Sequence, residues 1–126
     1  MLVIGLEPSL IDFSEKAYDV HPGLNAEVVW AGLERSKASL VALGFDARLC
    51  LIDFGETAER VIKEELQQGR FDCVVIGAGL RLNVGNTALF ETVINIVHER
   101  APGAKLCFNT KAMDTAEAVQ RWFPAR

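Results

Sequence analysis

The sequence predicts an open α/β fold in which four parallel strands form one sheet and helices cover both of its faces. Short apolar runs rich in β-branched residues alternate with longer segments of helical period along the chain. One of these runs, Cys73–Ile76, ends abruptly at a glycine, which is typical of a strand buried on both faces. Strict alternation of strands and helices indicates parallel strands joined by helical crossovers, and four strands are too few to close a barrel. We therefore expect a doubly wound three-layer sandwich with strand order 2-1-3-4.

Composition limits the classes of protein to which the chain can belong. Its 126 residues predict a single α/β domain, residues 1–126, and 50% hydrophobic residues are enough to bury a core. The net charge of −4 and the lack of a long basic run argue against nucleic acid as a partner. No apolar run approaches the roughly 20 residues of a membrane span, and the first residues lack the basic region of a signal peptide. We therefore expect a cytoplasmic protein that does not bind a membrane.

The three cysteines indicate a structural role rather than a chemical one. Cys50, Cys73 and Cys107 each fall inside a predicted strand, and their spacing matches neither a metal site nor a redox motif. We expect buried, reduced thiols. The sequence indicates no metal site and no particular cofactor.

The strands are recognised by their apolar runs. Pro8 ends the first strand because it has no N–H for a sheet ladder, and Arg48 places the second strand near an edge of the sheet. In the second strand, alternate apolar residues predict one set of side chains on each face. The four predicted strands are Leu2–Leu6, 46–53, Cys73–Ile76 and 105–109.

The helices are recognised by their apolar period and their end signals. Asn25 is a good N-cap for the first helix, and Gly44 follows its last apolar residue, Leu43. Asp114 and Glu117 form a capping-box pattern before the last helix, which we expect to bury Trp122. The four predicted helices cover 25–43, 58–68, 86–100 and the stretch after 114.

The segment 9–23 is long for a connection between a strand and a helix, which typically has about 2–6 residues. It carries Ile11, Phe13, Tyr18 and Val20, so we expect it to pack on the domain with a short helical turn. Two roles fit such a segment: a lid or binding loop, and a cover over one edge of the sheet. His21 lies in this segment, where a lid would bring it over the site as an acid or base.

In an open α/β sheet, ligands bind beyond the carboxyl ends of the strands, at the point where the strand order reverses. Here that point lies between the first and third strands. Thr110 and Lys111 follow the fourth strand and reach the same rim. The predicted ligand-binding residues are Glu7, Ser9, Asp53, Gly77, Gly79, Arg81, Asn83, Asn86, Thr87 and Asn109.

The stretch after the third strand contains three glycines, and we expect it to form a glycine-rich loop that leads into the third helix. It misses the third glycine of a dinucleotide fingerprint, and it misses both the spacing and the lysine of a P-loop. A loop of this kind, next to a helix N-terminus and Arg81, would nevertheless suit a phosphate or carboxylate. The alternative is a tight turn, with Arg81 facing solvent or paired with Glu7.

The alternating layout resembles the architecture of flavodoxins, Rossmann-like nucleotide-binding domains and response-regulator receivers. The motifs of these families are absent. Glu7 alone stands where a receiver has an acidic pair, and Gly77 stands where it has a phosphorylatable aspartate. Ser9 is the one hydroxyl where a flavodoxin has a hydroxyl-rich phosphate loop. The resemblance therefore implies a flavodoxin/Rossmann-like three-layer fold and no activity.

Two functions are compatible with these observations. In the first, the chain binds a small anionic molecule bearing a phosphate or carboxylate, with or without catalysis. In the second, it is a non-catalytic module that forms a homodimer or docks on another protein. Ile96 and Trp30, which lie off the inward stripes of their helices, favour the second function. The short fourth strand favours it too, because it would leave an unprotected edge, although Lys105 and Lys111 flank that edge.

Overall fold

The fold is a parallel sheet in the expected strand order. The computed structural model describes residues 1–18 and 22–124. Its sheet has the order β2-β1-β3-β4, and every neighbouring pair is parallel, which confirms the predicted topology. Arg48 begins an edge strand, as expected. The four strands are β1 (Leu2–Leu6), β2 (Arg48–Ile52), β3 (Cys73–Ile76) and β4 (Lys105–Phe108).

Helices form both outer layers. Side chains on one face of the sheet, such as Ile4 and Ile76, share a core with the second and fourth helices. Side chains on the other face, such as Val3 and Val75, share a core with the first and fifth helices. This division confirms the three-layer sandwich. The helices are α1 (Ala26–Ala42), α2 (Ala58–Leu66), α3 (Gly79–Leu82), α4 (Thr87–Arg100) and α5 (Thr115–Gln120).

The glycine-rich loop expected after β3 is instead largely helical. The four-residue helix α3 and a 3₁₀ turn, Val84–Asn86, fill the distance to α4. The amide of Leu80 donates to the Gly77 carbonyl at 3.1 Å, and that of Leu82 donates to the Ala78 carbonyl at 2.9 Å. Among the described residues, positive φ occurs only at other glycines. The expectation was wrong because none of the three glycines has a positive φ, and two of them, Gly79 and Gly85, lie in helical turns.

Three apolar residues lie where the sequence did not place them. Trp122 is 53% exposed, because it follows the last turn of α5 and its ring packs under the ammonium of Lys105 at 5.4 Å. Leu43 is 45% exposed, because it is the C-cap of α1 and lies beyond the buried stripe. Ile96 is only 6% exposed and packs in the core beside Val93 and Val97. Trp30, which was also expected to lie off the inward stripe of its helix, is partly buried.

The helix ends confirm one predicted cap and correct another. Asn25 caps α1 by accepting from the Val28 amide at 2.9 Å, and Gly44 follows that helix with φ +93°. The capping box at α5 was wrong. Asp114 turns backward and accepts from the amides of Thr110 at 2.9 Å and Lys111 at 3.2 Å. An aspartate can accept amides on either side of a turn, and here it fastens the β4–α5 connection.

The segment 9–23 packs on the domain and contains helical turns, as expected. One 3₁₀ turn, Pro8–Leu10, leads into it, and a second, Lys16–Tyr18, lies within it. Tyr18 is buried, and its ring lies 5.3 Å from that of Phe13. Val20 and His21 lie outside the described residues, so a role for His21 stays a prediction. Within the described ranges, no helix combines the length and hydrophobicity needed to cross a bilayer.

Candidate functional site

A cavity of about 480 Å³ lies at the carboxyl ends of the central strands. It is bounded by the end of β1, the turn after β3 and the connection after β4. Helix α1 and parts of the segment 9–23 complete its walls. The cavity therefore occupies the point where the strand order reverses, which is the location predicted from the alternation of strands and helices.

The floor of the cavity depends on a close approach of β1 and β3. The amide of Gly77 donates to the carbonyl of Ile4 at 2.7 Å. A Cβ at Gly77 would lie 3.1 Å from that carbonyl oxygen and 3.3 Å from the Cα of Gly5. Both neighbours are backbone atoms of the sheet, so only glycine fits there without separating the strands. The position of Gly79 is more tolerant, since a Cβ there would meet the Leu6 side chain at 3.5 Å.

The walls are mainly apolar. Tyr18 is the one phenol among the described lining residues, and its burial, followed by the charges of Glu15 and Asp12, raises the pKa of its hydroxyl. The wall is thus uncharged on that side at neutral pH. The large apolar lining residues are Leu6, Ile11, Phe13, Leu24, Val28, Val29, Leu33, Leu82 and Met113.

Asn109 supplies the main buried polar group of the cavity wall. It is 3% exposed and lies directly after β4. Its Oδ1 accepts from the Ala78 amide at 2.7 Å, and its Nδ2 donates to Thr115 Oγ1 at 2.9 Å. The Asn109 side chain therefore ties the turn after β3 to the start of α5, and these two bonds engage both ends of its amide.

Lys111 is the one charged residue among the described residues that line the cavity. The connection that carries it is fastened on both sides. Asp114 accepts from the amide of Lys111 itself, and Ser36 of α1 donates to the carbonyl of Ala112. Helix α1 comes so close that a Cβ on Gly32 would lie 2.8 Å from the Cβ of Ala112. The backbone that presents the lysine is thus held rigidly against α1.

Three of the ten predicted ligand-binding residues line this cavity: Gly77, Gly79 and Asn109. Arg81 is an exposed residue, as one of the alternatives expected, and its hydrogen-bond partner is not Glu7. It donates to the carbonyl of Asn109, and its guanidinium carbon lies 5.5 Å from the centre of the Phe108 ring.

The other six predicted residues make contacts within the chain. Asn86 is buried and donates to the Gly79 carbonyl at 3.2 Å, while the Thr87 hydroxyl donates to the Val84 carbonyl at 2.6 Å. Asn83 donates to Glu15 at 2.7 Å, which fastens the segment 9–23 to the turn after α3. Their proposed contacts with a ligand stay predictions.

Two of these six residues, Glu7 and Asp53, are the acidic ones, and each serves a turn. Glu7 accepts from the Ser9 hydroxyl at 2.9 Å. Asp53 accepts from the Thr57 hydroxyl at 2.7 Å and from amides that begin α2. These bonds, led by the Thr57 hydroxyl, lower the pKa of Asp53. Each carboxylate is therefore engaged by the turn that follows its own strand.

From the sequence, Lys111 was expected at the rim but not among the ligand-binding residues, and the apolar wall of the cavity was not expected. The wall comes from α1, α3 and the segment 9–23, where an apolar side chain could equally belong to the core. The one available signal was the apolar content of the segment 9–23, since Ile11, Phe13 and Tyr18 all reach the cavity.

The cysteines have the structural character expected of them. All three are free and buried. Burial raises the pKa of Cys50 to about 12. Cys73 and Cys107 lie with their sulfur atoms 3.4 Å apart, and this contact raises the pKa of the Cys73 thiol. Among the residues described, no group of three potential metal ligands comes together.

No protein-family model, curated protein or solved structure matches the chain. Its chemistry must therefore be inferred from the cavity. The described lining contains one amine and one phenol, and it contains no carboxylate, imidazole or thiol. Such a wall can enclose an apolar molecule, and its one described cationic residue, Lys111, can attract a negative charge.

Proposed function

We propose that this chain binds a small organic molecule that has an apolar body and one anionic group. The observation that carries the proposal is the apolar cavity of about 480 Å³ at the reversal point of the sheet, with Lys111 as its one charged described residue. Ligand pockets are typically apolar clefts of about 300–1,000 Å³ with a few placed polar groups. The size, the position and the single positive charge of this cavity all agree with that pattern.

Binding without catalysis is the simplest activity for this wall. The nearest carboxylate on the connection after β4 is Asp114, whose oxygens are engaged by Thr110 and Lys111. Burial opposes its ionisation, but the hydrogen bonds from Thr110 outweigh burial and lower its pKa. Asp114 is therefore ionised and engaged in its turn near neutral pH, and it is poorly suited to accept a proton from a ligand.

A blocking substitution with a matched control tests the proposal. Val29 lines the cavity, whereas Val41 on the same helix is exposed and outside it. We expect Val29→Phe to fill the cavity and abolish the rise in melting temperature that apolar acids and phosphates cause. Val41→Phe should leave that rise unchanged. The proposal fails if no probe stabilises the wild type, or if both variants respond to the probes as the wild type does.

Interaction as a homodimer or docking module has weaker support. Ile96, one of its indications, is buried in the core. The edge of β4 is partly occupied, since Arg121 donates to the outward carbonyl of Phe108 at 2.7 Å, and Lys105 lies against Trp122. Occupied or charged edges discourage strand pairing between molecules. Light scattering that shows a dimer, together with a flat ligand panel, would favour this alternative.

A further inference from the structure

We infer that the Tyr18 hydroxyl selects ligands whose apolar body carries a neutral hydrogen-bonding group, such as a hydroxyl or a carbonyl. This inference rests on the proposed function and adds a second polar feature to the ligand of the same cavity. The observation behind it is a buried phenol that lines the cavity and has no hydrogen-bond partner among the described residues.

The Tyr18 oxygen keeps access to open space. Tyr18 is only 6% exposed, and its hydroxyl makes no hydrogen bond with the described part of the chain. Among the described side chains, only Glu65 has an oxygen that is both sealed from solvent and without a hydrogen bond. The Tyr18 oxygen is therefore not sealed. Because the residue lines the cavity and is otherwise enclosed, the open space beside this oxygen is the cavity.

The backbone and the ring of Tyr18 are held in place. The Tyr18 amide donates to the Glu15 carbonyl at 3.0 Å, and the ring lies 5.3 Å from that of Phe13. The Glu15 carboxylate in turn accepts from the Asn83 side chain at 2.7 Å, which fastens this turn to the body of the domain. A hydroxyl that is positioned before binding costs little further ordering when a ligand contacts it.

The ligand group that meets Tyr18 is neutral rather than anionic. Burial, followed by the negative charges of Glu15 and Asp12, raises the pKa of Tyr18. Both carboxylates therefore act on the phenol, and the same charges repel an anionic group from it. The anionic group of the ligand lies away from Tyr18, and a polar group on the apolar body lies against it.

An unpaired hydroxyl in this position discriminates between ligands. A hydrocarbon surface placed against it would exclude water and leave a buried polar group without a partner, which is costly. Sites built to hydrogen-bond a ligand reject analogues that lack the matching group for this reason. Tyr18 is thus a specificity-determining residue that disfavours plain hydrocarbon acids.

The experiment compares naphthoate with its hydroxynaphthoate isomers, excluding those whose hydroxyl is adjacent to the carboxylate. All of these probes share one rigid body and one charge. They are titrated into the full chain, and dissociation constants are measured by two-dimensional NMR. We expect at least one isomer to bind about tenfold more tightly than naphthoate, as for one hydrogen bond to a buried group. Isomers that place the hydroxyl against the apolar wall should bind less tightly than naphthoate.

Tyr18→Phe completes a double-mutant cycle. It should remove the advantage of the favoured isomer, while the binding of naphthoate and the melting temperature of the ligand-free chain stay unchanged. Thr92→Val is the matched control, because it also removes one hydroxyl. The Thr92 hydroxyl donates to the Ala88 carbonyl at 3.0 Å on the exposed side of α4, outside the cavity. This variant should keep the preference of the wild type.

A direct readout is available because the chain contains one tyrosine. An isotope label at the tyrosine Cζ therefore gives a single NMR resonance, which reports the hydrogen bonding of the Tyr18 phenol. This resonance should shift more with the favoured isomer than with naphthoate.

The outcomes separate the two proposals. Binding of naphthoate without a gain for any isomer would overturn the inference and leave the proposed function intact. A gain that survives Tyr18→Phe would also overturn the inference, because another group would then recognise the hydroxyl. So would an equal loss for naphthoate and the favoured isomer in Tyr18→Phe, or a lower melting temperature of the ligand-free variant. Binding of no probe at all would overturn both proposals.

Discussion

Replacement of Gly77 by alanine tests the close contact of β1 and β3 that forms the floor of the cavity. The added Cβ would lie 3.1 Å from the Ile4 carbonyl oxygen and 3.3 Å from the Cα of Gly5. Neither backbone atom can move without shifting a central strand. The substitution should therefore push the two strands apart at their carboxyl ends and strain the 2.7 Å hydrogen bond between Gly77 and Ile4.

The expected loss of stability follows from three contributions. Forcing a methyl group into a packed site costs about 1–3 kcal/mol. Weakening a backbone hydrogen bond costs about 0.5–1.5 kcal/mol. The reduced entropy of the unfolded chain returns about 0.4–1 kcal/mol when glycine becomes alanine. The net expectation for Gly77→Ala is a free energy of unfolding lower by about 0.5–4 kcal/mol.

Gly79→Ala is the matched control, two residues away in the same turn. Its Cβ would meet a flexible Leu6 methyl at 3.5 Å, and the residue lies in the first turn of α3 with ordinary φ. This variant should be as stable as the wild type or slightly more stable. Urea unfolding followed by circular dichroism measures both variants, with an unchanged m-value as the check on two-state behaviour. A wild-type stability for Gly77→Ala, or an equal loss in both variants, would refute the close-contact interpretation.

Three further predictions concern the connection after β4 and the thiols. Asp114→Asn replaces charge-assisted hydrogen bonds by neutral ones and should cost about 0.5–2 kcal/mol at pH 7. Because folding lowers the pKa of Asp114, the stability that this carboxylate contributes is complete above about pH 4 and is lost as the pH falls through the folded pKa. The free energies of unfolding of the wild type and the variant should therefore converge in acid. A difference that stays constant with pH would contradict this. Gly32→Ala should displace Ala112 and weaken the binding of apolar acids to the cavity, whereas unchanged NMR shifts of residues 110–113 would count against the tight packing of α1. All three buried thiols should react with a disulfide reagent only after unfolding, and rapid labelling of the native protein would disprove their burial.

The sheet could be predicted from the sequence because its signals are local and repeated. Each strand is a short apolar run whose burial is nearly complete in β1 and β3, the two central strands. Alternation with amphipathic helices then leaves few arrangements, since crossovers of this kind impose parallel strands. Asn25 likewise identifies the start of α1, because an N-cap side chain bonds to an amide in the first turn of its own helix and needs no contact with the rest of the fold.

The errors arise where a local signal has two solutions. Asp114 can accept hydrogen bonds from amides that follow it, as in a capping box, or from amides that precede it. Only the position of Thr110 after β4 decides between these two arrangements. Glycines can form a left-handed turn or simply permit close packing, and the sequence does not distinguish the two uses. Gly77 serves close packing, which is a property of its distance from β1 rather than of its own neighbours in the chain.

The location of the candidate site could be predicted, whereas its chemical character could not. Topology alone brings the turns after β1 and β3 to one rim, and the bond between Gly77 and Ile4 shows how close they come. Whether such a rim binds phosphate depends on which amides remain without acceptors. Here Asn109 and Asp114, two polar residues at the end of β4 and beyond it, accept hydrogen bonds from three amides of the rim, those of Ala78, Thr110 and Lys111. The same side chains that organise the rim therefore also use part of its backbone donors, and this depends on contacts between β4 and its neighbours that the sequence does not reveal.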